Sequence, residues 1–166
     1  MNKTVVMVGL ASVLIAIAAD AAEPNLQSIA VIQSGTGPAS RGPAQNFTGT
    51  VQVTGRFQSE APARIGGATV VFEPGAHTAW HSHPLGQTLI VTQGQGFVQQ
   101  WGQAAQAIGP GDVVWIPPHV KHWHGAAPQE AMTHVALSEK LNDSSVTWME
   151  AVSEAQYMQA VSPHPR

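Results

Sequence analysis

The sequence predicts an all-β fold in a single domain, a sandwich or barrel with one short C-terminal helix. Short runs of β-branched and aromatic residues recur along the chain, separated by Gly- and Pro-based turns, and no helical period is sustained before Val146. With 16 Gly, 12 Pro and only 10% charged residues, the composition favours many short strands over long solvated helices. A chain of 166 residues is the size of one domain, and its 43% hydrophobic content supplies a core that a disordered chain lacks.

Residues 1–21 read as an export signal and not as part of the fold. Lys3 precedes an apolar run from Val5 to Ala19, and Ala19-Asp20-Ala21 is a small-x-small cleavage site. The competing reading is an uncleaved anchor, but the run is shorter than the ~18–20 apolar residues of a spanning helix. The mature chain is therefore expected in the periplasm or secreted, with no membrane contact after signal removal. It has no cysteine, so an oxidising compartment finds no thiol to cross-link. Residues 22–45, rich in Gly, Pro, Ser and Ala, read as an arm leading into a domain over 46–166.

Within that domain, strand signals begin at Thr50–Val53 and continue at Ala68–Phe72, Thr78–His83, Gln87–Thr92, Phe97–Trp101, Asp112–Ile116, Lys121–His124 and Met132–Leu137. Turn sequences separate them: Pro74-Gly75, Pro84-Leu85-Gly86, Gly94-Gln95-Gly96, Gly109-Pro110-Gly111 and Pro117-Pro118. Such spacing indicates a sandwich or a barrel. From Val146 to Val161, the residues Trp148, Ala151, Val152, Ala155 and Met158 keep helical spacing, which predicts one helix lying on the barrel. A formal charge of −3 gives no pull towards nucleic acid or an anionic membrane, and both are set aside as partners.

The chemistry rests with the eight histidines. His81 and His83 are two apart on an expected strand, so both side chains leave by one face, while Trp80 and Ser82 point the other way. Gln87 follows the Pro-Leu-Gly turn and can return across the hairpin to the same point. Downstream, His122 and His124 share a face. A lone His-x-His pair on a strand is more often polar surface than a metal site. Here it does not stand alone. Gly75, His81, His83, Gln87 and Gly94 are spaced G-x5-H-x-H-x3-Q-x6-G, and Gly111, Pro117 and His122 follow as G-x5-P-x4-H.

This two-part pattern resembles the cupin superfamily. The resemblance implies a double-stranded β-helix, or jelly-roll, barrel with one divalent metal on His81, His83, Gln87 and His122, in a homo-oligomer (dimer or tetramer). Three positions depart from the usual motifs: Gln87 stands where Glu is common, His119 where Gly is common, and Ala126 where Asn is common. Three imidazoles and a carboxamide leave the dication uncompensated, which makes it a stronger Lewis acid towards an anionic oxygen. A closed zinc site seldom recruits a carboxamide, whereas an N3O set with open positions suits Mn2+ or Fe2+, with Co2+, Ni2+ and Zn2+ as alternatives. The alternative geometry is a three-histidine site with Gln87 unligated.

Of the other histidines, His124 and His134 are expected inside the barrel, as acid/base groups or as satisfied core residues that orient a ligand. His77 is expected at the surface or rim, His119 in a turn, and His164 in a tail. The segments Gly66–Thr92, Pro110–Trp115, His122–Pro128, Met132–His134, Trp148–Glu150 and Gln156-Tyr157 are similar to those of the small manganese-dependent cupin hydroxynitrile lyases of bacteria. That resemblance fits Gln87, histidines at the positions of His124 and His134, and Mn2+ as the ion.

What it implies is a lyase that cleaves or forms cyanohydrins such as mandelonitrile, giving aldehyde and cyanide from a small-molecule substrate. The substrate hydroxyl would face the open metal position, where its pKa falls, and His124 would take its proton. Ala68, Val70, Phe72, Leu89 and Val91 would hold an aryl or alkyl group. Two rivals use the same ligands: another cupin metalloenzyme (a dioxygenase, isomerase or decarboxylase) and a non-catalytic metal-binding module.

Overall fold

A computed structural model describes residues 28–33 and 35–162. The expected signal sequence and His164 lie outside the described residues. The chain divides into units of residues 1–31 and 32–166, and the fold is that of the second. Among the described residues no helix is long and apolar enough to cross a membrane.

Among the described residues thirteen strands and one helix form, in the order β1 (Ser40–Arg41), β2 (Phe47–Thr48), β3 (Val51–Gln58), β4 (Ile65–Phe72), β5 (His77–Thr78), β6 (His81–Ser82), β7 (Gln87–Gly94), β8 (Gly96–Gln100), β9 (Gln106–Ile108), β10 (Val113–Ile116), β11 (His122–Ala126), β12 (Met132–Glu139), β13 (Thr147–Trp148) and α1 (Glu154–Val161). All pairings are antiparallel. One sheet runs β1-β3-β4-β12-β7-β10; in the other, β11 is flanked by β8 on one side and by β5 and β6 on the other. This is the expected all-β jelly roll, and Ser40–Arg41 of the expected arm already belongs to its first sheet.

Alternation decides which side chains enter the barrel. Register aligns Val53, Val70, His134 and Val91 across β3, β4, β12 and β7, and aligns Gly66, Ser138 and Gln87 nearer one rim. The core is built from Val51, Phe72, Leu89, Val98, Ile108, Ile116 and Met132 among others. In β11 every residue is buried, because both faces are covered. His122 and His124 face the barrel, whereas Trp123 packs outward with Trp80, Val152, Tyr157 and Ala160 beneath α1. Gly125 has to lack a side chain: a Cβ there would lie 2.4 Å from the His77 Cβ and 2.5 Å from the Ala76 carbonyl oxygen.

Three expectations are corrected. The helix begins at Glu154 and not near Val146, because Ser153 caps it through a reciprocal box with Gln156. Upstream, Thr147–Trp148 pairs with β6 as a strand, and the helix buries Tyr157 and Ala160 while Ala155 and Met158 are exposed. The expected strand Thr78–His83 is two pieces. His77 opposes Gly125 and His81 opposes His122, so four steps on one strand match three on the other, a one-residue bulge at Ala79-Trp80. The bulge reverses parity. His77 therefore faces outward, but α1 covers it: it is 3% exposed and stacks on Tyr157 at 4.5 Å, neither at the surface nor at a rim. Thr78 takes the inward position.

Candidate metal centre and cavity

Three elements bring the donors together. His81 on β6 sits directly opposite His122 on β11, with Trp148 of β13 on its other side. His83 follows in the turn after β6, and Gln87 opens β7 beyond it. One ring nitrogen from each of His81, His83 and His122 lies within 4.8 Å of the others. The Gln87 Oε1 lies 3.1 Å from the His122 Nε2. All four residues are buried.

Backbone carbonyls fix how these rings present themselves. The Nδ1 of His81 donates to the Ala79 oxygen at 2.9 Å, that of His122 to the Val120 oxygen at 2.9 Å, and that of His83 to the Ser145 oxygen at 2.5 Å. A hydrogen held on Nδ1 leaves a lone pair on each Nε2, the tautomer a metal ligand needs. The His83 Nε2 is buried with no hydrogen-bond partner, the signature of a group awaiting one. Burial, first of all, lowers the pKa of all three rings, that of His122 to about 4, so they are neutral near pH 7. The residues present fit a divalent ion, with three imidazoles and a carboxamide oxygen as donors.

Beside this group lies a second histidine pair. The His134 Nε2 and His124 Nδ1 are 3.2 Å apart, and both residues are buried. Phe72 packs on both, edge-on to His124 and tilted on His134. Burial pushes both pKa values down, that of His134 to about 4. A single hydrogen joins the two rings, and when the His124 Nδ1 donates it the His134 Nε2 accepts; the His134 Nδ1 has no partner. The His124 Nε2 then carries a lone pair, and it too is buried and unpartnered.

A cavity of about 300 Å³ joins the two groups, with His81, His83, Gln87, His124 and His134 in its wall. Ala68, Val70 and Phe72 line it as expected. Leu89 and Val91 do not: they lie further along β7 than Gln87, by roughly 7 and 13 Å, and are packed into the hydrophobic core. Their places are taken by Phe47, Val53, Val146 and Trp148, and Trp148 also lies 4.8 Å from the His81 ring. Trp148 was hidden by its fit to a helical period, and Phe47 by lying outside any long strand signal. No Asp or Glu lines the cavity among the described residues. His119 is a turn residue with φ 63°, and its amide bonds the His83 carbonyl.

Comparison with known proteins agrees with this architecture. A family model described as Cupin domain matches residues 68–137. The chain is 57% identical over 123 residues to an (R)-mandelonitrile lyase of Granulicella tundricola, covering 74% of this chain and 94% of that one. A cupin-like protein of Thermotoga maritima superposes with a TM-score of 0.70 at 43% identity, covering 75% of this chain and 95% of its own. A polyketide cyclase of Streptomyces resistomycificus shares the fold at 17% identity, with a TM-score of 0.57 over 82% of this chain and 95% of its own.

Proposed function

The chain belongs to the cupin family, and from that premise we propose that it is a metal-dependent carbon–carbon lyase acting on cyanohydrins such as mandelonitrile. The observation that carries the reading is the unpartnered His124 Nε2, buried in the wall of the same cavity as His81, His83 and Gln87. The 57% identity to an (R)-mandelonitrile lyase supports the choice of substrate class. A bound divalent ion, Mn2+ before Fe2+, Co2+, Ni2+ or Zn2+, would supply Lewis acidity towards a substrate oxygen.

The residues of the chain supply the rest. Phe47, Phe72 and Trp148 enclose an aryl group and exclude water from around it. The His124 Nε2 accepts the proton of the cyanohydrin hydroxyl, while His134 holds the ring by accepting from its Nδ1–H. As the carbonyl forms, the C–CN bond breaks and its electron pair leaves with cyanide, which recovers the proton from the His124 imidazolium. Addition of cyanide to an aldehyde retraces these steps. Among the described residues no acidic side chain lines the cavity, so none opposes the departing anion.

The same proposal includes export to the periplasm or beyond and assembly with further copies of the chain. The exposed apolar side chains Ile90, Val113 and Trp115 on the neighbouring strands β7 and β10 support assembly. The test of the function is benzaldehyde release from mandelonitrile by metal-loaded protein. His124→Gln should keep its metal by elemental analysis and lose about 100-fold or more in rate. No release by the parent protein, or full activity in the variant, refutes the proposal.

A further inference from the structure

Strand β3 contains a second bulge, and it places one charged side chain in the cavity wall. Thr54 opposes Thr69 and Phe57 opposes Gly67, so Gly55 and Arg56 together face the single residue Ala68. Gly55 has φ +57°, the left-handed conformation that such a bulge requires of its first residue. Without the bulge, alternation from Val51 and Val53 would turn Gly55 inward and Arg56 to solvent. With it, Arg56 is carried to the cavity's mouth, where its side chain is exposed yet lines the cavity wall, and Gln58 follows opposite Gly66.

Arg56 is the one formally charged side chain in the wall of the metal-site cavity among the described residues. It also lines an outer cleft of about 450 Å³, which shares Arg56, Ala68, Ala136 and Ser145 with that cavity. The two spaces meet at its side chain. No carboxylate neutralises it: the ion pairs of the described residues are Arg64–Glu139 and Lys121–Glu150, and Arg56 bonds the Ser40 Oγ at 3.3 Å. A guanidinium has five donors in a planar fork, so most of them are left for a ligand.

We propose that Arg56 forms an anion subsite, and that the preferred substrate carries a carboxylate at the end remote from the reacting carbon. The inference rests on the lyase reading for the reaction but not for the subsite. Its position follows from the sheet. Strand β3 lies three strands from β7, roughly 14 Å along the sheet at ~4.8 Å per strand, so the anion binds several bonds from the oxygen that faces His81, His83 and Gln87. An aryl ring between Phe47, Phe72 and Trp148 spans part of that interval, and the carboxylate emerges at the junction with the outer cleft.

The test compares 4-carboxymandelonitrile with mandelonitrile in metal-loaded parent, Arg56→Gln and Arg56→Lys proteins. In parallel, binding of 4-formylbenzoate and benzaldehyde is measured by calorimetry. The parent should favour the carboxylated nitrile about five- to tenfold in kcat/KM, through KM, with a preference that weakens as salt is added. Arg56→Gln should abolish that preference and leave mandelonitrile cleavage unchanged; Arg56→Lys should keep part of it. Equal cleavage of both nitriles by the parent overturns the inference while leaving the lyase reading intact. So does an Arg56→Gln effect confined to the KM of cyanide in the synthesis direction. Cleavage of neither nitrile, with 4-formylbenzoate still bound several-fold tighter through Arg56, refutes the lyase reading and sustains the subsite.

Discussion

Replacing His83 by Ala separates a metal ligand from a structural histidine, because its two ring nitrogens have opposite effects in the metal-free protein. The Nδ1 bond to the Ser145 carbonyl is worth about 1 kcal/mol, and its loss destabilises. The buried, unpartnered Nε2 costs ~1–3 kcal/mol, and its removal stabilises. The two roughly cancel, so the metal-free melting temperature should move by only a few degrees. With metal the proteins should part. At an ion concentration 100-fold above Kd, binding stabilises the parent by about 2.7 kcal/mol, or roughly 10 °C for a domain of this size. Losing one donor in four should weaken the site at least ~100-fold, which leaves about 0.4 kcal/mol and a shift of only ~1–2 °C. Differential scanning fluorimetry on chelated and Mn2+-loaded samples of both proteins reads all four values. A variant that keeps the full metal-induced shift, or a parent that shows none, refutes the site.

Gln87→Glu should bind the ion more tightly and slow cyanohydrin cleavage about tenfold or more, because a carboxylate ligand cancels part of the charge that stabilises an anionic oxygen. Metal titration and benzaldehyde release on one sample check both halves, and an unchanged rate contradicts the account. The metal-free protein should also be acid-sensitive through its buried histidines. His122 and His134 titrate near 4 when folded and near 6.5 when unfolded, so below 6.5 the unfolded chain binds the extra protons. Their stability contribution is full above pH 6.5 and is lost as the pH falls from there towards 4, by about 2 kcal/mol per histidine at pH 5. A chelated sample whose melting temperature is level between pH 7 and pH 5 would rule this out.

Much of the site could be read in the sequence because a barrel repeats simple rules. Strands alternate, turns carry Gly or Pro, and two motifs with fixed spacing place His81, His83, Gln87 and His122 at the ends of paired strands. His124 and His134 follow by the same parity. Where the reading failed, the cause was a backbone irregularity or a period shared by two structures. The bulge at Ala79-Trp80 turned His77 outward beneath α1, and the bulge at Gly55 carried Arg56 to the cavity's mouth. Trp148 sat at helical spacing but entered a strand, because the Ser153 cap starts the helix after it. Leu89 and Val91 have the parity of Gln87 but lie too far along β7 to line the cavity.

The sequence by itself determined the all-β architecture, the histidine cluster of His81, His83 and His122, and the placing of His124 and His134 inside the barrel, since each depends on local periodicity or on motif spacing. Only the tertiary structure decided which apolar side chains wall the cavity, that the His124 Nε2 opens onto it unpartnered, and that a single cation stands at its edge. Those outcomes depend on register between strands distant in sequence, where one extra residue reverses every side chain beyond it, and no local pattern records where that residue falls.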